Sequence, residues 1–282
     1  MLSSEHDDSI TASTIQSTAN ITTSEAHAHR QSRAEETTPQ ETYTLENATL
    51  FGWDSVSGNL LPERVDLLKQ YVVGRTVFDA GCGGGGFVDY LTGEGFRTVG
   101  LEKHAVFLNV ARERRFRGKF VQADLAQRLP FADKSFDTTI CLDVLEHVAD
   151  DAQTIRELAR VTRRRLVIAV PQEDKWMWRY RLIFYPYRDP THRRYYTPEA
   201  LRALADSISP HHVEVFGEQK IHLQDLALQL LRPRCRFRSL TPIYQRLFTF
   251  LVLRTYSCVL YQNLAAVIDL QPPDSPSACG SA

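Results

Sequence analysis

The stretch Val77-Phe78-Asp79-Ala80-Gly81-Cys82-Gly83-Gly84-Gly85-Gly86-Phe87-Val88-Asp89-Tyr90-Leu91 decides the fold. Thr76, Val77 and Phe78 are β-branched or aromatic and read as the end of a buried parallel strand. Asp79 closes that strand. Gly81 and the run Gly83 to Gly86 let the backbone turn tightly and approach a ligand with no Cβ in the way. Phe87, Val88, Tyr90 and Leu91 recur at helical spacing, so a helix follows at once. Strand, glycine turn and helix N-terminus make a nucleotide-cradling unit. Backbone N–H groups and the positive end of the helix dipole face whatever sits over the turn. Turns of this kind serve NAD as well as other nucleotides, so the turn alone leaves the ligand open.

The residues downstream narrow the choice. A second strand, Thr98 to Leu101, ends in Glu102, roughly 20 residues past the first glycine, where an acid can hold both ribose hydroxyls. A third strand, Phe120 to Ala123, ends in Asp124. Leu129-Pro130-Phe131 follows, then a fourth strand within Ser135 to Leu142, then Asp143-Val144-Leu145-Glu146-His147. In this order and spacing the motifs resemble the class I S-adenosylmethionine-dependent methyltransferases. They are most similar to the small-molecule branch, methyltransferase type 11, which includes ubiquinone-biosynthesis enzymes. The resemblance implies a Rossmann-like α/β fold, a doubly wound, mostly parallel seven-stranded sheet. It also implies S-adenosyl-L-methionine as cofactor and a small molecule as methyl acceptor.

The resemblance assigns roles to single residues. Gly81, Gly83 and Gly85 let the turn approach the methionine portion, and Asp79 acts through water or fixes the turn. Glu102 accepts both ribose hydroxyls. Asp124 accepts from the adenine amino group, with the Leu125 amide nearby, and Asp143 lies near the methionine ammonium. As strand-end caps, these acids would do no more than satisfy backbone groups. His147 and His192 are the candidate general bases, because imidazole titrates near neutral pH and a hydroxyl acceptor must lose a proton. Either histidine can equally be structural. Trp176, Trp178, Tyr180, Tyr185 and Tyr187 are candidates to line an acceptor pocket.

The rest of the chain sets the limits. Hydrophobic residues at 43% and charged residues at 24% suit a globular protein with a sizeable core. Residues 1–42 are rich in Ser, Thr, Glu, Ala and His and cannot bury enough surface to fold, so a disordered tail is expected there. His27 and His29 fall in it. The segment lacks an apolar core and is acidic, which fits neither a secretory signal nor a transit peptide. A methyltransferase domain is expected over 43–270 and a second disordered tail over 271–282. The cysteines Cys82, Cys141, Cys235, Cys258 and Cys279 show no metal spacing. They read as reduced thiols of a cytoplasmic protein, and no metal site is expected.

A helix is expected over Gly58 to Val73, others over Ala105 to Arg115 and Asp150 to Val161, and a fifth strand over Leu166 to Val170. Thr197 reads as the N-cap of another helix, with Pro198 at its first position. A sixth strand is expected at Val213 to Phe216 and a last one at Asn263 to Leu270. Between them a helical insert of about 220–260 carries two apolar stretches, Leu223 to Leu231 and Ile243 to Leu253. Arg232, Arg234, Arg236 and Arg238 separate them. Packing of the insert on the domain is the first expectation, with peripheral contact to an anionic membrane as a secondary role. Alternatives to the enzyme are a cofactor-binding regulatory module without turnover and a peripheral-membrane methyltransferase of a lipid or quinone precursor. The residues after the fourth strand lack the Pro-Pro-Tyr run of nucleic-acid amino-methylating enzymes, so no nucleic-acid partner is expected.

Overall fold

Val77, Phe78 and Ala80 are fully buried in β1 (Thr76–Ala80), an interior strand of a seven-stranded sheet. The computed structural model describes residues 43–50, 53, 56–173, 189, 191–222, 246, 247, 250 and 259–272. On one side of β1 lie β2 (Arg97–Glu102) and β3 (Lys119–Gln122). On the other lie β4 (Phe136–Leu142), β5 (Thr162–Pro171), β7 (Val259–Asp269) and finally β6 (His212–His222). The spatial order is β3-β2-β1-β4-β5-β7-β6. The first five strands pair in parallel, while β7 is antiparallel to both β5 and β6.

Every residue of β4 is buried, as a strand covered on both faces must be. Adjacent residues serve opposite faces. Phe78 joins Leu101, Ile168 and Leu264 beneath α5 (Asp151–Val161) and α6 (Pro198–Asp206). Val77 joins Ile140 and Val167 beneath α2 (Pro62–Tyr71) and α3 (Gly86–Gly93). Two further helices, α1 (Leu45–Leu50) and α4 (Ala105–Glu113), complete the described set. Helices this short are marginal alone, so burial on the sheet holds them. Asp150 caps α5 by accepting from Gln153 N at 2.8 Å, and Thr197 caps α6 by accepting from Ala200 N at 3.2 Å. The Thr197-Pro198 start is as the sequence predicts.

Several boundaries differ from expectation. The helix expected from Gly58 begins at Pro62, because Gly58 has φ +73° and Leu61 is extended. β3 stops at Gln122, one residue short of Ala123. β5 starts at Thr162, directly after α5, its polar first residues having hidden it. β6 and β7 run past the rest of the sheet as a two-stranded ribbon, with His222 opposite Val259. The connection outside that ladder is therefore 223–258. The polar run from Gly217 to Lys220 concealed the extension. Gly217 permits it, since a Cβ there would lie 2.2 Å from Tyr261 Cγ.

The expected tail of 1–42, the aromatic run from Trp176 to Tyr187 and the four arginines of the insert lie outside the described residues. So does the end of the chain beyond Pro272. No described helix is long and apolar enough to cross a membrane.

Candidate active site

The carboxyl ends of β1, β2, β4 and β5 converge where a parallel sheet of this kind binds its ligand. Gly81 N and Cys82 N both donate to Leu101 O, at 2.8 and 2.9 Å, so the chain leaves β1 by folding over the end of β2. Gly81, Gly83 and Gly85 all have positive φ, and α3 begins at the next residue. A Cβ on Gly81 would stand 2.5 Å from Val144 Cγ2. A Cβ on Gly84 would stand 2.3 Å from Val56 O. The segment at Val56 thus lies directly on the turn, and part of the glycine requirement comes from this chain itself.

Glu102 fastens the turn. Its Oε2 accepts from Gly83 N at 3.2 Å, and its Oε1 accepts from His104 N at 2.8 Å. Asp79 is 3% exposed, and its Oδ2 has no hydrogen-bond partner among the described residues. Burial, and then the neighbouring Glu102, push the Asp79 carboxyl up to about 7. A buried acid with an orphaned oxygen beside a second carboxylate suits a ligand bringing positive charge and hydrogen-bond donors. Asp124 lies two residues beyond the end of β3. Its Oδ1 accepts from Ala126 N at 2.9 Å and its Oδ2 accepts from Lys103 Nζ at 2.8 Å. Partial burial alone would raise this carboxyl, but the bonds from Lys103 and Ala126 hold it below the usual range. Leu125 is buried next to it.

Asp143 follows β4 with φ +56°, an unusual conformation for a non-glycine residue, and its N–H donates to Ala169 O at 2.9 Å. Its carboxylate accepts from Arg64 Nη2, at 2.6 Å for Oδ1 and 2.8 Å for Oδ2. Arg64 is 1% exposed, and its Nη1 donates to buried Glu218 of β6. Burial disfavours the guanidinium charge, yet Asp143 and Glu218 outweigh it and raise the pKa. The sequence reading missed Arg64. The signal was available: Arg64 stands four residues before Leu68, on the face of α2 that turns inward.

His147 and His192, 45 residues apart in the chain, meet here, with ring centroids 4.7 Å apart. The segment carrying His192 is clipped onto the turn after β4. Arg193 N donates to Glu146 O at 2.9 Å, and Arg194 Nη2 donates to Ala149 O at 2.8 Å. Asp189 anchors the same segment: its Oδ1 accepts from Thr191 N at 2.8 Å and from Thr191 Oγ1 at 2.5 Å. Trp53 Nε1 donates to Asp189 Oδ2. Burial lowers the pKa of both imidazoles, and His147 lowers that of His192 further. Glu146, 1% exposed, lies with them, and burial followed by Asp143 raises its pKa well above the usual range.

This sheet order, with its glycine turn and the acids at three strand ends, defines a class I S-adenosylmethionine-dependent methyltransferase fold. Residues 78–169 match the family described as a methyltransferase domain. It is 28% identical to the ubiquinone biosynthesis O-methyltransferase of Sodalis glossinidius over 152 residues, 50% of this chain and 60% of that one. The chain spans about half the length of the curated relatives it matches. A methyltransferase structure from Archaeoglobus fulgidus superposes with a TM-score of 0.54 at 17% identity, covering 78% of this chain and 99% of that one. A phosphoethanolamine N-methyltransferase of Haemonchus contortus, solved with S-adenosyl-L-methionine, superposes with a TM-score of 0.54 at 16% identity. It covers 82% of this chain and 58% of that one, and likenesses at such identity bear on the fold alone. Asp79 and Glu102 fit the cofactor of the class, whose sulfonium and ammonium groups are cationic and whose ribose donates hydrogen bonds.

Proposed function

We propose that this protein transfers a methyl group from S-adenosylmethionine to an oxygen of a small-molecule acceptor. The observation that carries this reading is the Glu102 carboxylate fastened to Gly83 and His104, with the orphaned Asp79 carboxyl beside it. Glu102 would receive the ribose hydroxyls, Asp79 would face the positive charge, and Asp124 would accept from the adenine amino group. Asp143, already committed to Arg64, would act near the methionine ammonium through its outward face. When bound, the cofactor supplies an activated methyl group. The chain must then orient the acceptor in line with it and exclude water.

His147 and His192 are proposed for the acceptor side. Oxygen as the acceptor atom is supported by the O-methyltransferase name of the Sodalis glossinidius relative and by the two half-buried imidazoles that meet in the segments following β4 and β5. Calorimetry tests the cofactor half: S-adenosylmethionine should bind at micromolar Kd or tighter, roughly −8 kcal/mol, and NAD should not compete. Turnover with a panel of phenolic and carboxylic acceptors tests the rest. Tight NAD binding without S-adenosylmethionine binding would overturn the reading. Cofactor binding with no methyl transfer to any acceptor would leave a regulatory module.

A further inference from the structure

The carboxylate of Asp189, 7% exposed, holds more donors than its own turn requires. An aspartate that stabilises its turn needs the bond from the N–H two residues on, here Thr191 N to Oδ1 at 2.8 Å. Asp189 takes two donors beyond that one. Thr191 Oγ1 gives its single proton to the same Oδ1 at 2.5 Å, and Trp53 Nε1 donates to Oδ2. His192 Nε2 faces Oδ2 at 3.5 Å. Thr191 Oγ1 also meets His147 Nδ1 at 2.9 Å. With the hydroxyl proton committed to Asp189, that bond must be donated by the imidazole. Thr191 O, 3.4 Å from the same nitrogen, can only accept, which agrees. Asp189 thus fixes a proton on Nδ1 of His147 from one hydroxyl away. Burial lowers the pKa of His147, which favours the neutral ring. A neutral ring protonated on Nδ1 offers Nε2 as its acceptor nitrogen, whatever donor meets it there.

Trp53 leads from Asp189 to the other half of the site. Val56 N donates to Trp53 O at 3.2 Å, and Val56 O lies 2.3 Å from where a Cβ of Gly84 would stand. A Cβ on Gly86 would stand 2.5 Å from Gly58 O. The chain that reaches Asp189 at Trp53 therefore rests on the glycine turn at Val56 and Gly58. We propose that Asp189 is the positioning residue of the methyl-transfer site: it sets the tautomer of His147 through Thr191, backs His192 directly, and ties both imidazoles to the glycine turn through Trp53. A carboxylate that orients an imidazole by fixing its tautomer is a known device of acid–base catalysis, and here a threonine hydroxyl stands between the two. A ligand that orders the glycine turn is then felt at two rings whose centroids lie 4.7 Å apart. The place of Asp189 in methyl transfer rests on the function proposed above, whereas the tautomer and the tie to the turn do not.

The test is nitrogen nuclear magnetic resonance of the histidine rings in the full chain, with and without S-adenosylhomocysteine. Calorimetry on the same samples gives the affinity for that ligand. Spectra of His147→Gln and His192→Gln assign the two rings. The expected result for His147 is the neutral Nδ1–H pattern. Asp189→Ala frees the Thr191 hydroxyl to donate, so the ratio of Nδ1–H to Nε2–H should fall about tenfold or more, the range for losing a hydrogen bond to a charged group. Thr191→Val leaves the Trp53 bond in place and should lower the same ratio. It carries the test if circular dichroism shows Asp189→Ala to be unfolded. S-adenosylhomocysteine should shift both ring signals in the wild type. Trp53→Phe keeps an aromatic ring without the donor and should abolish that shift while binding persists. A wild-type His147 protonated on Nε2 alone, a ratio unchanged in the folded variants, or ring shifts that persist in full in Trp53→Phe would overturn the inference. S-adenosylhomocysteine binding would then leave the methyltransferase reading standing. The expected tautomer changes without any such binding would do the reverse.

Discussion

Arg64 Nη2 lies 2.6 Å from Asp143 Oδ1 and 2.8 Å from Oδ2, so one guanidinium fork clamps α2 to the end of β4. The same side chain reaches Glu218 of β6 through Nη1. Three segments distant in the chain therefore meet on one buried cation. Removing it would strand Glu218, 8% exposed, with no compensating charge. Arg64→Leu should lower stability by about 3–5 kcal/mol, the cost of breaking a buried pair from one side. Arg64→Lys keeps the charge but loses the fork, and should fall between. Urea unfolding checks both. A loss below 1 kcal/mol in Arg64→Leu would show that the clamp does not hold α2.

Asp79 makes stability depend on pH in a stated direction. Its folded-state carboxyl is pushed up to about 7, while an unfolded aspartate titrates near 3.9. Between these values the folded chain keeps a proton that the unfolded chain has released. The contribution is complete below the unfolded value and is lost as pH rises through about 7, with a limiting slope of about 1.4 kcal/mol per pH unit. Asp79→Asn should remove that fall, which denaturant midpoints from pH 5 to 8 would read. Affinity for the cationic S-adenosylmethionine should rise over the same window in the wild type, more than affinity for neutral-sulfur S-adenosylhomocysteine. Equal pH dependence in wild type and Asp79→Asn would remove Asp79 from the cofactor site.

What the sequence could and could not reveal follows from how local each signal is. The strand, glycine turn and α3 are contiguous and periodic, and Glu102 and Asp124 end strands whose apolar runs are plain to read. Those features of the fold were legible. The Arg64 clamp was not read, because its partners come from β4 and β6 and no local pattern pairs them. The histidine pair was visible only as two separate candidates, since their meeting depends on how the segment after β5 returns to the turn after β4. The ribbon of β6 and β7 was hidden by polar residues, because its backbone pairing with a partner strand leaves no local apolar pattern.

The hold of Glu102 on the turn and its proposed contact with the ribose can be measured apart. Glu102→Gln retains acceptor capacity for Gly83 N but loses the charge that strengthens hydrogen bonds from ribose hydroxyls. Glu102→Ala loses both. Cofactor affinity should fall by about 1.5–3 kcal/mol in Glu102→Ala, the range for hydrogen bonds to a charged group, and by less in Glu102→Gln. Calorimetry with S-adenosylhomocysteine gives both values. A folded Glu102→Ala variant with unchanged affinity would restrict Glu102 to holding the turn.

Gly81 offers a test of the turn that does not involve charge. Its φ of +84° belongs to the left-handed region, and a Cβ there would lie 2.5 Å from Val144 Cγ2 and 3.1 Å from Cγ1. Gly81→Ala therefore adds backbone strain, of order 1–2 kcal/mol, to a steric overlap with the residue after Asp143. The second term can be relieved separately. In Gly81→Ala/Val144→Ala the offending methyl groups are gone while the strained φ remains. The double variant should be less destabilised by the glycine change than the single one, by about 1 kcal/mol or more when read through a double-mutant cycle. Cofactor affinity should recover in parallel, because the turn regains its path over the end of β2. Strict additivity of the two substitutions would mean that Val144 yields without cost and that backbone conformation alone explains the glycine.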